Sequence, residues 1–289
     1  LAGAMGNTSL SGDLDFDNTG DKPKLTGSLI LPTLDLRPFL DGAPASTEPS
    51  APPPNLADLY RRLSAATFSL KRMNDADLDL VLGVRRWLSL PGDVHDVTLH
   101  MKLKDGVLQA PLLAQVAGVA LSGKVEAAAD AAEPRFNMQL GTRDSDLGGL
   151  AELLTGARGI RGRLGRFDLR LAARGDTGAE LVRSLDVSLD VQRGRFSYGN
   201  REGERPVEFA LDKLALKLPA GKSLRADMNG DLLGHAFRGQ LGSAPLETIM
   251  LQGRAPFDLS LRSGAVRARV NGDLETVSNA DGPDVRFDV

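Results

Sequence analysis

The chain has 289 residues, a formal charge of −3, 42% hydrophobic and 25% charged residues, the balance of a folded protein and not of a disordered one. That charge argues against a surface built for nucleic acid, which would be clearly basic. Cysteine is absent, which excludes disulfides, Cys zinc sites and thiol nucleophiles, and aromatic residues at 4% leave the core to aliphatic side chains.

No run approaches the ~18 apolar residues of a membrane helix. The opening, LAGAMGNTSLSG, carries no charged-then-apolar signal and reads as mid-protein sequence, so an upstream segment is expected. Leu10 to Leu36 then reads as two amphipathic strands around a polar turn. Leu14, Phe16, Leu25, Leu29 and Leu31 share one face, and Asp13, Asp15, Asp17, Lys24, Thr26 and Ser28 the other. Residues 42–54, GAPASTEPSAPPP, cannot build a core and read as a flexible or extended linker. Asn55 is placed to cap a helix with a stripe of Leu56, Leu59, Tyr60 and Leu63.

Period-2 alternation dominates from there on. Leu78, Leu80 and Leu82 alternate, as do Val97, Leu99, Met101 and Leu103. A short helix is expected over 147–154, capped by Asp144 or Ser145 and ended by Gly156, and another over 179–184. Between and beyond them run Phe167, Leu169 and Leu171, then Leu185, Val187, Leu189 and Val191, then Leu214, Leu216 and Leu218, then Phe257, Leu259 and Leu261. One wet and one apolar face per strand is the mark of antiparallel sheet. The expected division is 1–41 as the end of a β unit, 42–54 as linker, 55–200 as a helix plus β-repeat unit, and 201–289 as a further β unit.

The chain also repeats itself. SGDLDFDNTGDKPKLTGSLILPTLDL aligns without gaps to SGKVEAAADAAEPRFNMQLGTRDSDL, so that Gly12 matches Gly123, Pro23 matches Pro134 and Leu29 matches Leu140. Gly272 and Pro283 begin a third copy with the same spacing. A strand–turn–strand module in series predicts an array.

Catalytic chemistry is not announced. His95 and His100 are five apart on one strand and cannot form a metal pair there. Asp75, Asp77 and Asp79 alternate as solvated charges, without the Gly and distal Glu of a calcium loop. Gly159, Gly162 and Gly165 miss the dinucleotide spacing, and no G-x-S-x-G elbow exists. No catalytic residue, metal or cofactor is therefore expected. Arg158, Arg161, Arg163 and Arg166 form a basic stretch that could meet lipid phosphates, or serve as a solvated strand edge.

GNTSLSGDLDFDNTGDKPKLTGSLILPTLDL resembles the recurring unit of bacterial AsmA-family proteins. LPGDVHDVTLHMKLKDGVLQAPLLAQVAGVALSGKV is similar to that family's strand, Asp-Gly turn, strand, Ala-Gly, strand arrangement. GIRGRLGRFDLRLAARGDTGAELVRSLDVSLDVQRGRFSY resembles its C-terminal segment, with a strand pair turning at Arg193-Gly194. The resemblance implies a mainly β fold: repeated antiparallel strands in an elongated, curved or half-open groove, with a few short helices. It also implies a periplasmic segment anchored upstream in the inner membrane, related to bridge-like lipid-transfer proteins and serving outer-membrane lipid homeostasis and envelope assembly. The expected partner is phospholipid or another acyl-chain lipid, with envelope proteins possible besides. The lining candidates are Leu14, Phe16, Leu25, Leu29, Leu31, Val125, Phe136, Met138, Leu140, Leu169, Leu171, Val187 and Leu189. The alternatives are that these residues form a packed core and that the chain is a non-catalytic envelope scaffold or protein-interaction module.

Overall fold

The computed structural model describes residues 2–5, 8–35, 56–66, 69–88, 90, 93–129, 132–146, 149–150, 153, 159–199, 206–252, 254–275 and 285–288. The linker over 42–54, the Asn55 cap, Arg158 and Pro283 lie outside them. Of the helix expected over 147–154, only residues 149, 150 and 153 are inside, and Leu150 and Leu153 are helical.

Alternating apolar and polar residues become strands almost throughout. These are β1 (Ala2–Met5), β2 (Thr8–Asp17), β3 (Lys24–Leu34), β4 (Asp77–Trp87), β5 (Val94–Lys104), β6 (Val107–Val116), β7 (Val119–Ala128) and β8 (Arg135–Asp146). They continue as β9 (Ile160–Arg174), β10 (Asp186–Tyr198), β11 (Val207–Leu218), β12 (Ser223–Leu232), β13 (His235–Pro245), β14 (Arg254–Ser263), β15 (Val266–Glu275) and β16 (Val285–Asp288). Their order in the sheet is their order in the chain, with β1 and β16 at the edges, so the sheet is open and not a barrel. The helices are α1 (Leu56–Ala65), a 3-10 turn (Leu70–Asn74), α2 (Gly178–Arg183) and α3 (Leu246–Gln252). The 3-10 turn and α3 were not expected from the sequence pattern.

The sheet is mostly antiparallel, as the one-faced strands require. β3 and β4 are the exception: they run parallel, Leu25 beside Leu78 and Leu29 beside Leu82. Parallel neighbours need a crossover, and here it carries α1 and the 3-10 turn. Two-residue turns close several hairpins. Asp105–Gly106, Ala117–Gly118 and Leu233–Gly234 all have positive φ at both positions, the geometry that matches strand twist.

Arg193-Gly194 is not a turn. Both residues lie inside β10, which runs on to Tyr198 opposite Val207. Arg193 has φ 56°, and Gly194 is buried beside Leu211. Apolar positions change parity here, from Val191 to Gly194, and likewise on β11, from Leu214 to Leu211. Registered partners therefore stay matched: Phe196 with Phe209, Gly194 with Leu211, Val191 with Leu214, Leu189 with Leu216. A backbone irregularity repeated on adjoining strands keeps the apolar face intact.

By contact density the chain divides into two units. One comprises residues 1–116, 120–140 and 171–185, the other 117–119, 141–170 and 186–289. In the first, Leu31, Leu34, Val84, Val94, Val97 and Ala114 form a buried cluster, with Trp87 and Leu90 packed on it. The same unit docks its 3-10 turn onto the start of α2. The Asp176 carboxylate accepts hydrogen bonds from Ser69 Oγ (2.7 Å) and Lys71 N (2.8 Å), and its carbonyl accepts one from Leu70 N at 3.0 Å. Thr177 and Glu180 form a reciprocal capping box on α2. In the second unit, Leu164, Phe167, Val191, Leu218, Ala226, Ile249 of α3 and Ala255 are buried.

The repeat has a structural counterpart in its first two copies. Gly12 pairs with Leu29 across β2 and β3, and a Cβ on Gly12 would fall inside the Ser28 carbonyl. A Cβ on Gly123 would fall inside the Gln139 carbonyl, beside Leu140, which is the same relation displaced along the chain. The third copy departs from it. Gly272 pairs with Phe287, two residues short of the position that corresponds to Leu29.

Candidate functional site

Residues paired across a ladder point to the same side of a sheet, so register turns the alternating leucines into rows. In the first unit Phe16 pairs with Leu25, Leu25 with Leu78, Leu78 with Leu103, and Leu103 with Leu108. This is an apolar row across five strands. A second row runs Leu29, Leu82, Leu99, Leu112, opening on Gly12. In the second unit Leu189, Leu216, Ala226, Leu241, Leu259 and Val270 are registered partners in turn across six strands. Beside them run Val191, Leu214, Met228, Gly239, Leu261 and Ala268.

The rows differ in how far protein covers them. Leu31, Val84 and Val97 are buried in the aliphatic cluster, and Leu80 and Ala110 are buried as well. Leu25, Leu78, Leu103 and Leu108 are only half-buried, and Phe16 at the end of their row is 65% exposed. In the second unit Leu189, Leu216, Leu241, Leu259 and Val270 are half-buried, with Ala226 buried among them.

Of the lining candidates, Leu14, Leu25, Leu29, Val125, Phe136, Met138, Leu140 and Leu171 are half-buried in the first unit. Leu31 there belongs to the packed cluster, and Phe16 is exposed. Leu169, Val187 and Leu189 are half-buried in the second unit, where Val187 pairs with Leu218 and Leu189 with Leu216. The rows also hold Leu108, Leu112, Ala226, Leu241 and Val270, which sequence reasoning missed. β6 hides its alternation behind Pro111 and the Leu112–Leu113 pair, and β13 hides its own among Gly239 and Gly242. The readable signal for them was their even spacing opposite clear strands.

The opposite faces are polar and partly ion-paired. His100 Nε2 lies 2.9 Å from Asp79 Oδ1, and that hydrogen bond, aided by Lys102, holds the Asp79 carboxyl below its ordinary range. His95 Nδ1 lies 2.9 Å from its neighbour Asp96, so the two histidines serve different carboxylates. Asp77 accepts a hydrogen bond from Asp105 N at 3.2 Å. Among the described residues no three His, Asp or Glu gather as a metal site would require. Of the basic stretch on β9, Arg161 and Arg163 are exposed, while Arg166 is hydrogen-bonded through Nε to Asp168, which raises the guanidinium pKa further.

No family model, curated protein or solved structure matches the chain.

Proposed function

We propose that this chain holds the acyl chains of phospholipid along the apolar face of its open sheet. The observation that carries this reading is the pair of registered rows, Phe16-Leu25-Leu78-Leu103-Leu108 in one unit and Leu189-Leu216-Ala226-Leu241-Leu259-Val270 in the other. Both are continuous and apolar, and most of their members are half-buried instead of packed away. A lipid tail laid across such a row removes apolar area from water on both partners, at ~25 cal/mol per Å², with no need for a specific contact at any one position. That tolerance also accounts for the degenerate pattern of the repeat. The AsmA-family resemblance supports the same reading. With it comes the proposal of a periplasmic setting, attachment to the inner membrane through a segment upstream, and a part in outer-membrane lipid homeostasis.

Lipid extraction and mass spectrometry of the purified chain test this directly. The expected result is co-purified phospholipid, reduced several-fold by Leu216→Glu with Leu259→Glu and unchanged by Ser260→Glu on the polar side of β14. Protein that carries no lipid, and takes up no fluorescent phospholipid from vesicles, would overturn the reading.

A further inference from the structure

The polar side of β11 to β15 carries charges that the apolar rows do not explain. An open concavity of about 1480 Å³ lies over it, lined among others by Lys213, Arg238, Arg262 and Arg267. Register shows how these come together. Lys213 pairs with Asn229, Asn229 with Arg238, Arg238 with Arg262, and Arg262 with Arg267. One ladder row thus holds four cations over five strands, three of them on successive strands. Four residues along, Lys217 pairs directly with Arg225, and both line the same concavity.

Like charges directly opposite each other destabilise a sheet, so such a row needs a compensating anion. Among the described residues Lys213, Lys217, Arg225, Arg238, Arg262 and Arg267 take no part in an ion pair. One carboxylate, Asp227, lines the concavity beside the cations, and Asp212 accepts a hydrogen bond from Asn229 at 3.4 Å. Asp227 Oδ1 accepts a hydrogen bond from Gln240 at 3.1 Å, and Asp258 is held by the guanidinium of Arg269. That Arg269–Asp258 pair, on the same strands, shows what an arginine of this face does when an acid is within reach.

We propose that this concavity is a binding site for a ligand bearing two or more phosphate groups. Cross-strand partners stand ~5 Å apart, so Arg238, Arg262 and Arg267 present three guanidinium forks at a spacing that successive phosphates of one ligand can meet. Arginine binds phosphate bidentately, and a row of arginines suits a polyphosphate better than a single ion. The concave form favours a discrete ligand over a flat anionic surface. The inference does not depend on lipid occupying the apolar face, because these side chains project to the other side.

Isothermal titration of the full chain with tripolyphosphate, at physiological ionic strength, is the test. Flotation with phosphatidylcholine vesicles containing phosphatidylglycerol separates a soluble source of the phosphates from a lipid surface. Saturable tripolyphosphate binding is expected, weakened about tenfold or more by Arg238→Gln with Arg262→Gln and unaffected by Arg85→Gln, with affinity falling steeply as salt rises. Relief of the repulsion should leave the double variant melting no lower than the wild type, which separates lost binding from lost folding. The single change Arg262→Lys keeps the charge and should weaken binding less than Arg262→Gln. No saturable binding, equal binding by the double variant, or binding to vesicles alone would each overturn the proposal.

Discussion

Gly12 and Gly123 show what a single residue contributes. Each sits where a methyl group would enter the carbonyl of the facing strand, at Ser28 and Gln139 respectively. Backbone on the far side cannot give way as a flexible side chain can. Gly12→Ala or Gly123→Ala should therefore cost about 2 kcal/mol or more in thermal or denaturant unfolding. Gly242→Ala, whose added carbon meets nothing, should stay within about 0.5 kcal/mol. The sequence shows the two glycines in matching places but not why, because the close approach exists only once the strands pair. The cations of β11 to β15 make the same point more strongly. Lys213 and Arg267 are far apart in the chain and unremarked there, whereas the compact stretch from Arg158 to Arg166 draws the eye. Register gathers the former into one row, while Arg166 simply bonds Asp168 two residues along its own strand.

Short helices and turns are legible where their chemistry is local. α1 follows from its apolar stripe, and α2 lies where a short helix over 179–184 is expected, its start fixed by the Thr177–Glu180 capping box that the structure shows. Thr177→Ala should destabilise the first unit by about 1 kcal/mol in denaturant unfolding. The latch between α2 and the 3-10 turn should also be acid-sensitive. Hydrogen bonds from Lys71 N and Ser69 Oγ depress the Asp176 carboxyl, and those from the backbone N–H groups of Asp176 and Thr177 depress Glu180. A carboxyl depressed on folding adds stability that is fully present above its ordinary pKa, here 3.8 and 4.5, and is lost as pH falls through the lower folded value. Hydrogen-exchange protection over residues 69–74 and 176–184 should accordingly be highest at neutral pH and decline progressively as pH falls below 4.5 and on through the lower folded values. Protection indifferent to acid would contradict this. Other elements were not legible. An alternating pattern says which way side chains point but not which way a strand runs, so the parallel β3–β4 pair could not be read. Arg193-Gly194 has the residue types of a turn, yet β11 pairs past it on both sides and holds it in a strand.

At the scale of the whole chain, alternation foretold one-faced, mostly antiparallel strands, and the half-open sheet was expected from the family resemblance; both hold. What the sequence could not decide is how far the apolar face is covered. The structure divides the answer: Leu31, Val84 and Val97 are packed by protein, while Leu25, Leu78, Leu103, Leu216 and Leu259 are left half-buried in rows. Alternation records only that a residue is apolar, and burial depends on residues distant in the chain. If lipid tails lie on these rows, contact must follow the period of the strand. Site-specific photocrosslinking to phospholipid tests that most directly, with a crosslinker placed in turn at Leu78 and Asp79 on β4 and at Leu259 and Ser260 on β14. Crosslinks at Leu78 and Leu259, and none at their neighbours, are the predicted result. Equal labelling of adjacent positions, or none at any of the four, would contradict the account.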